Sequence, residues 1–71
     1  MKTPKLLLVE DDTSLATTLK ERLTKEGYSI CWVNTLSKAR SELKASTPNL
    51  IILDVGLPDG SGFDLAKELF E

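Results

Sequence analysis

Two short apolar runs that each stop at an acid constrain this chain more than any other feature. Lys5-Leu6-Leu7-Leu8-Val9 ends in Glu10-Asp11-Asp12, and Leu50-Ile51-Ile52-Leu53 ends in Asp54. Neither run alternates polar with apolar residues, the pattern of a strand buried on both faces, and such strands belong to parallel sheets covered by helices. The segments between them change period. Leu15, Ala16, Leu19 and Leu23 form one helical face. Asp12 or Thr13 can cap its start, Lys25 suits its last turn and Gly27 suits the position after its end. Tyr28 to Val33 is aromatic and β-branched with partial alternation, which predicts a second strand at a sheet edge. Asn34 or Thr35 can cap a second helix with the stripe Leu36, Ala39 and Leu43, and Thr47-Pro48 stops it.

After Asp54 comes Val55-Gly56-Leu57-Pro58-Asp59-Gly60, with Pro-Asp-Gly turn chemistry and the expectation of a loop. Ser61-Gly62-Phe63-Asp64 has capping-box spacing, and Phe63, Ala66, Leu69 and Phe70 begin a third helix. The order β-α-β-α-β-α predicts an α/β fold: a doubly wound parallel sheet with right-handed crossovers and helices on both faces.

Length and composition narrow the function classes. With 71 residues the chain is one small domain, and 41% apolar and 28% charged residues place it among globular proteins. A net charge of −2 argues against a nucleic-acid surface in this segment. One cysteine and no histidine exclude an internal disulfide and a structural zinc site. The charged start Met1 to Lys5 is followed by too short an apolar run for a signal peptide, and no run has membrane-spanning length, so a cytoplasmic location is expected. Cys31 is expected to be a small buried filler, and Trp32 and Tyr28 to be packing and rim residues. Lys20, Arg22, Lys25, Lys38, Arg40 and Lys44 belong to solvated helix faces. Gly60-Ser61-Gly62 reads as a tight turn plus helix cap rather than a phosphate cradle.

In open parallel sheets, ligands bind beyond the carboxyl ends of the strands where the strand order reverses. If the chain winds one way from the first strand to the second and then back to the third, the first and third become neighbours. Asp11 and Asp54 then stand side by side, on strands about 5 Å apart. Clustered carboxylates repel, and a hard divalent cation such as Mg²⁺ relieves them, keeping waters and accepting a phosphate oxygen. A carboxylate beside such a cation can act as a nucleophile toward phosphorus.

Three motifs in order, Leu7-Leu8-Val9-Glu10-Asp11-Asp12, Leu50-Ile51-Ile52-Leu53-Asp54-Val55 and Leu57-Pro58-Asp59-Gly60-Ser61-Gly62, resemble the receiver domain of bacterial two-component response regulators. The resemblance implies a flavodoxin-like sheet of strand order 2-1-3 over residues 1–71, a partial receiver with the family's fourth and fifth βα units absent. It implies that Asp54 is the phosphoacceptor. Asp11 would ligate Mg²⁺ directly, Glu10 directly or through water, and Gly56 through its backbone carbonyl. Asp12 falls outside the acidic pair and suits a helix cap.

The implied partners are a histidine kinase or phosphotransfer protein and an output domain, often DNA-binding. The start of the chain lies close to the first strand, which suits a stand-alone or N-terminal receiver. The Thr or Ser and the Lys with which family members sense and pair the phosphoryl group have no counterpart at a matching position, so neither role is transferred.

Two other readings stand beside the phosphorelay switch. Mg²⁺ phosphatases with an Asp nucleophile have a second Asp two residues later, where this chain has Gly56. An interaction module that no longer switches would act by pairing with another chain. The third strand would expose its outer edge, predicting self-association there, and Leu6, Leu8, Ile51 and Leu53 are expected to be only partly buried.

Overall fold

A computed structural model describes residues 3–70; Met1 and Lys2 of the charged start, and Glu71, lie outside the described residues. Strand β1 spans Lys5–Val9, helix α1 Thr13–Lys25, strand β2 Ser29–Val33, helix α2 Leu36–Ala45 and strand β3 Leu50–Leu53. A two-residue pair, β4 (Gly56–Leu57) and β5 (Gly60–Ser61), precedes helix α3 (Gly62–Leu69). The main sheet is parallel, in the order β2-β1-β3. The expected doubly wound topology is therefore the observed one, with β2 at one edge and β3 at the other.

The helix boundaries follow the capping residues. Asp12 Oδ1 accepts from Leu15 N at 3.1 Å, and the Thr35 hydroxyl accepts from Lys38 N at 3.1 Å, which decides both open choices of cap. At the end of α1, Gly27 has φ of 99°. Its N–H donates to the Thr24 carbonyl while Tyr28 N donates to that of Leu23, a Schellman termination that leaves Tyr28 in the turn and starts β2 at Ser29. Ser61 caps α3 by accepting from Phe63 N at 3.2 Å.

The pleat sends alternate residues of β1 to opposite faces. Leu6 and Leu8 pack with Ala16 of α1, joined by Leu19, Leu23, Tyr28, Ile30, Trp32 and Ile52. Leu7 and Val9 pack with Val33, Leu36, Ala39, Leu57 and Leu65, joined by Leu43, Ile51 and Leu53. Helix α1 thus covers one face, and α2 with α3 the other.

Several expectations are corrected here. Leu6 and Leu8 are fully buried rather than partly so, because α1 and the large side chains of the Tyr28 to Trp32 segment close over them. Ile51 and Leu53 are half-buried as expected. Leu15 is exposed: Ala16 takes the core-facing position, and one residue is about 100° of helix rotation. On α3 the buried residues are Gly62 and Leu65, while Phe63, Leu69 and the C-capping Phe70 are exposed. Cys31 is exposed on the edge strand rather than buried. The segment after Asp54 is an antiparallel hairpin, Gly56 facing Ser61 and Leu57 facing Gly60, rather than an irregular loop. No described helix is long and apolar enough to cross a membrane.

Candidate functional site

The register of β1 with β3 brings the acids together. Val9 is the partner of Leu53, and one step beyond this pair Asp54 N donates to the Val9 carbonyl at 3.0 Å. On the other side Glu10 N donates to the Val33 carbonyl at 3.0 Å. The backbone at Glu10 is thus fixed within the sheet. Ligand atoms of Glu10, Asp11 and Asp54 all lie within 4.8 Å of one another. Glu10 is buried, Asp54 half-buried and Asp11 exposed, so the cluster opens outward through Asp11.

Glu10 is the strained member electrostatically. It is only 7% exposed, yet its Oε2 accepts from Asp11 N at 3.0 Å and Asp12 N at 3.4 Å. Burial pushes its carboxyl above the usual range, and the Asp54 carboxylate beside it pushes further the same way; the two amides oppose this without cancelling it. Asp12 is outside the cluster and caps α1. Gly56 stands two residues past Asp54, in β4.

Two residues that sequence reasoning left out also shape the site. The indole of Trp32, the chain's single tryptophan, donates to the Glu10 carbonyl at 2.8 Å. Gly62 packs directly on the Asp54 backbone: a Cβ there would fall inside the van der Waals surface of the Asp54 carbonyl oxygen, and Gly62 N donates to the Val55 carbonyl at 2.8 Å. The Gly60-Ser61-Gly62 pattern marked a turn and cap, and nothing in it marked this close approach.

The same sheet and helices recur in known proteins. The family model for the response regulator receiver domain matches residues 6–71. The chain belongs to the response regulator receiver family. Among curated relatives of this receiver, the swarming motility regulation protein RssB of Serratia marcescens is 40% identical over 57 residues, which cover 80% of this chain and 26% of that protein. Among solved structures, the non-phosphorylated HemR receiver domain from Leptospira biflexa is 47% identical with a TM-score of 0.86, covering 93% of this chain and 53% of that one. A CheY-like receiver domain from Methylobacillus flagellatus is 30% identical with a TM-score of 0.91, covering 97% and 58%. The receiver therefore spans about a quarter of that curated relative and a little over half of these solved receivers.

Proposed function

We propose that Asp54 accepts a phosphoryl group from the phosphohistidine of a histidine kinase or phosphotransfer protein, in a Mg²⁺-dependent step that switches a downstream output domain. The observation that carries this reading is the convergence of Glu10, Asp11 and Asp54 at adjacent strand ends. The donor set fits the cation. All three groups offer hard oxygen ligands, and a buried carboxylate held above its usual range beside another is the electrostatic signature of a cluster that a divalent ion relieves. Asp11 and Asp54 would bind directly, Gly56 through its carbonyl, and Glu10 directly or through water. When bound, the ion supplies positive charge between an anionic nucleophile and an anionic phosphoryl group.

The chain's own residues do the rest. An Asp54 carboxylate oxygen forms the new O–P bond as the N–P bond of the donor breaks, and the bonding pair leaves with the imidazole, which takes its proton from solvent. The Asp54 backbone is bonded to Val9 and packed against Gly62, so the backbone that carries the nucleophile is held at the strand end. Nothing at Gly56 can serve as the second acid-base group of an Asp phosphatase, which favours a signalling phosphoacceptor over an enzyme with turnover. On this reading residues 1–71 are the first three βα units of a cytoplasmic receiver.

The test is incubation with acetyl phosphate, read by intact mass. In a receiver completed with its remaining βα units, one phosphoryl group is expected with Mg²⁺, none in chelator and none in Asp54→Ala. Equal labelling in chelator would overturn the mechanism. In the 71 residues alone the reaction is expected to be slow or absent, because no lysine stands where the family pairs one with the phosphoryl group. Mg²⁺ titration followed by amide NMR tests the site in that shorter chain. Shifts are expected first at residues 10–12 and 54–56, and shifts confined to other surfaces would count against the site.

A second reading, an interaction module, is favoured by one observation. Among the described residues β3 pairs only with β1, Leu50 is 44% and Val55 51% exposed, and the stretch from Ser46 to Leu53 carries no charge to discourage pairing. Self-association through this edge is expected of the 71 residues, and sedimentation across a concentration series decides it. A cooperatively folding monomer at micromolar concentration would exclude it.

A further inference from the structure

Asp59 takes part in none of the chemistry above, yet a distant helix engages its carboxylate. Leu36 N donates to Oδ1 at 2.8 Å and Ser37 N donates to Oδ2 at 3.0 Å. These are orphan amides of the first turn of α2, whose third, Lys38 N, is already satisfied by Thr35. The partners lie 22 and 23 residues apart in sequence, so this is a tertiary bond and not a local turn.

A second attachment lies beside it. Gly60 has φ of 147°, and a Cβ there would come within 2.9 Å of Leu36 Cδ1. Leu57 is buried in the same cluster as Leu36. The hairpin is thus fastened to the start of α2 through a polar contact at Asp59 and an apolar one at Leu57.

The other end of this hairpin is the pocket. Gly56 begins β4, and the ladder to β5 consists of two residue pairs. So short a ribbon does not hold its own shape in water. A backbone carbonyl ligand has no rotamers, and its direction is set wholly by the path of the chain through it. Whatever anchors the tip of a two-pair hairpin therefore also aims the carbonyl at its base.

We propose that Asp59 is a positioning residue for the acidic pocket: by tying the hairpin tip to α2, it fixes the backbone of Val55 and Gly56, and so aims the Gly56 carbonyl at a divalent cation held by Asp11 and Asp54. This rests on the reading of those residues as Mg²⁺ ligands. It adds a residue that touches neither the cation nor the phosphoryl group, and acts as the outer partners of metal ligands do.

The experiment compares Mg²⁺ dissociation constants, read by the fluorescence of Trp32 at the Glu10 carbonyl and by amide shifts at 54–56, for the unaltered chain, Asp59→Ala, Asp59→Asn and Thr35→Ala. Thr35→Ala removes an α2 cap while leaving the hairpin tie intact, so it controls for loss of helix stability alone. Asp59→Ala is expected to weaken Mg²⁺ roughly tenfold, the lower end of what outer partners contribute. Asp59→Asn, which keeps one carbonyl acceptor, is expected to recover part of that loss, and Thr35→Ala to change affinity less than twofold, a spread smaller than one outer partner contributes. Without Mg²⁺, hydrogen exchange at residues 56–61 is expected to quicken in Asp59→Ala and not in Thr35→Ala.

Equal weakening by Asp59→Ala and Thr35→Ala, or unchanged affinity in Asp59→Ala, would overturn the positioning role while leaving the metal site standing. An unaltered chain that gives no Mg²⁺ response would overturn the metal site and the positioning role together.

Discussion

Glu10 and Asp59 accept the same kind of bonds in two regions of the molecule, yet their pKa values move in opposite directions. Each carboxylate accepts two backbone amides, Asp11 and Asp12 for Glu10, Leu36 and Ser37 for Asp59. Asp59 is exposed, and its amides draw its pKa below the usual carboxylate range. Glu10 is buried against Asp54, and its pKa is raised despite its amides. Hydrogen-bonding pattern alone therefore does not separate an exposed clasp from a buried acidic cluster. Burial and a like-charged neighbour do, because they make the ionised state costly.

The largest expected effect falls on the pocket side of this comparison. Gly62→Ala drives a methyl group into the Asp54 backbone carbonyl and is expected to cost about 3 kcal/mol, from overpacking against backbone that cannot yield. Denaturant midpoints measure it, and a loss under 1 kcal/mol would mean that α3 shifts freely away from Asp54. Next comes Asp12→Ala, a carboxylate that only caps. It is expected to cost about 1 kcal/mol and to leave Mg²⁺ affinity unchanged. A large loss of affinity would place Asp12 in the pocket after all.

A smaller effect of opposite sign is expected at Glu10. Without Mg²⁺, Glu10→Gln removes a buried charge from beside Asp54, and a gain of stability of about 1 kcal/mol or less is expected, because the side-chain amide escapes the burial and like-charge costs while still offering an acceptor to the two backbone amides. With saturating Mg²⁺ the gain should shrink or reverse. A loss of stability in chelator would show that the two amides, rather than burial and Asp54, govern this carboxylate.

The smallest effects are in pH dependence, and their signs differ. The raised Glu10 pKa means that the folded state holds its proton longer than the unfolded chain. Its contribution is fully present below the ordinary carboxylate range and is lost as pH rises through the raised value. The depressed Asp59 pKa contributes above the ordinary range, and that contribution is lost as pH falls through the lowered value. Carboxyl carbon shifts followed from neutral to acid pH are expected to show Glu10 protonating first and Asp59 late. The reverse order would dissolve the distinction between the two regions.

Much of the architecture was legible because it rests on local chemistry. The runs at β1 and β3 have no polar face, and Asp12, Thr35, Gly27 and Ser61 each do what their side chains or backbone freedom favour at helix ends. The meeting of Asp11 and Asp54 followed from topology once the winding was assumed, whereas Glu10 was implied only by the family resemblance. What was missed depends on tertiary contact. Two-residue strands are too short to show a period, so only the turn at Pro58-Asp59-Gly60 was visible and not its ladder. Leu65, rather than Phe63 or Phe70, faces the core because packing against α2 sets the phase of an eight-residue helix. Cys31 was expected to be buried from its residue type, and it is exposed on the strand already read as an edge. The bonds from Asp59 to α2 and from Trp32 to Glu10 span more than twenty residues, and no local signal records them.

The central place of β1 has a consequence for the timing of assembly. The strand that reaches the ribosome exit first is the one that both others must flank, β2 from one side and β3 from the other. At roughly 5–20 residues per second, Asp54 emerges several seconds after Asp11. During that interval β1 and β2 can already pair across α1, while Leu7 and Val9 still lack part of their cover and Glu10 and Asp11 face no third carboxylate. Docking of β3 is then the step that brings the three carboxylates together, so in a nascent chain the acidic cluster forms late and all at once.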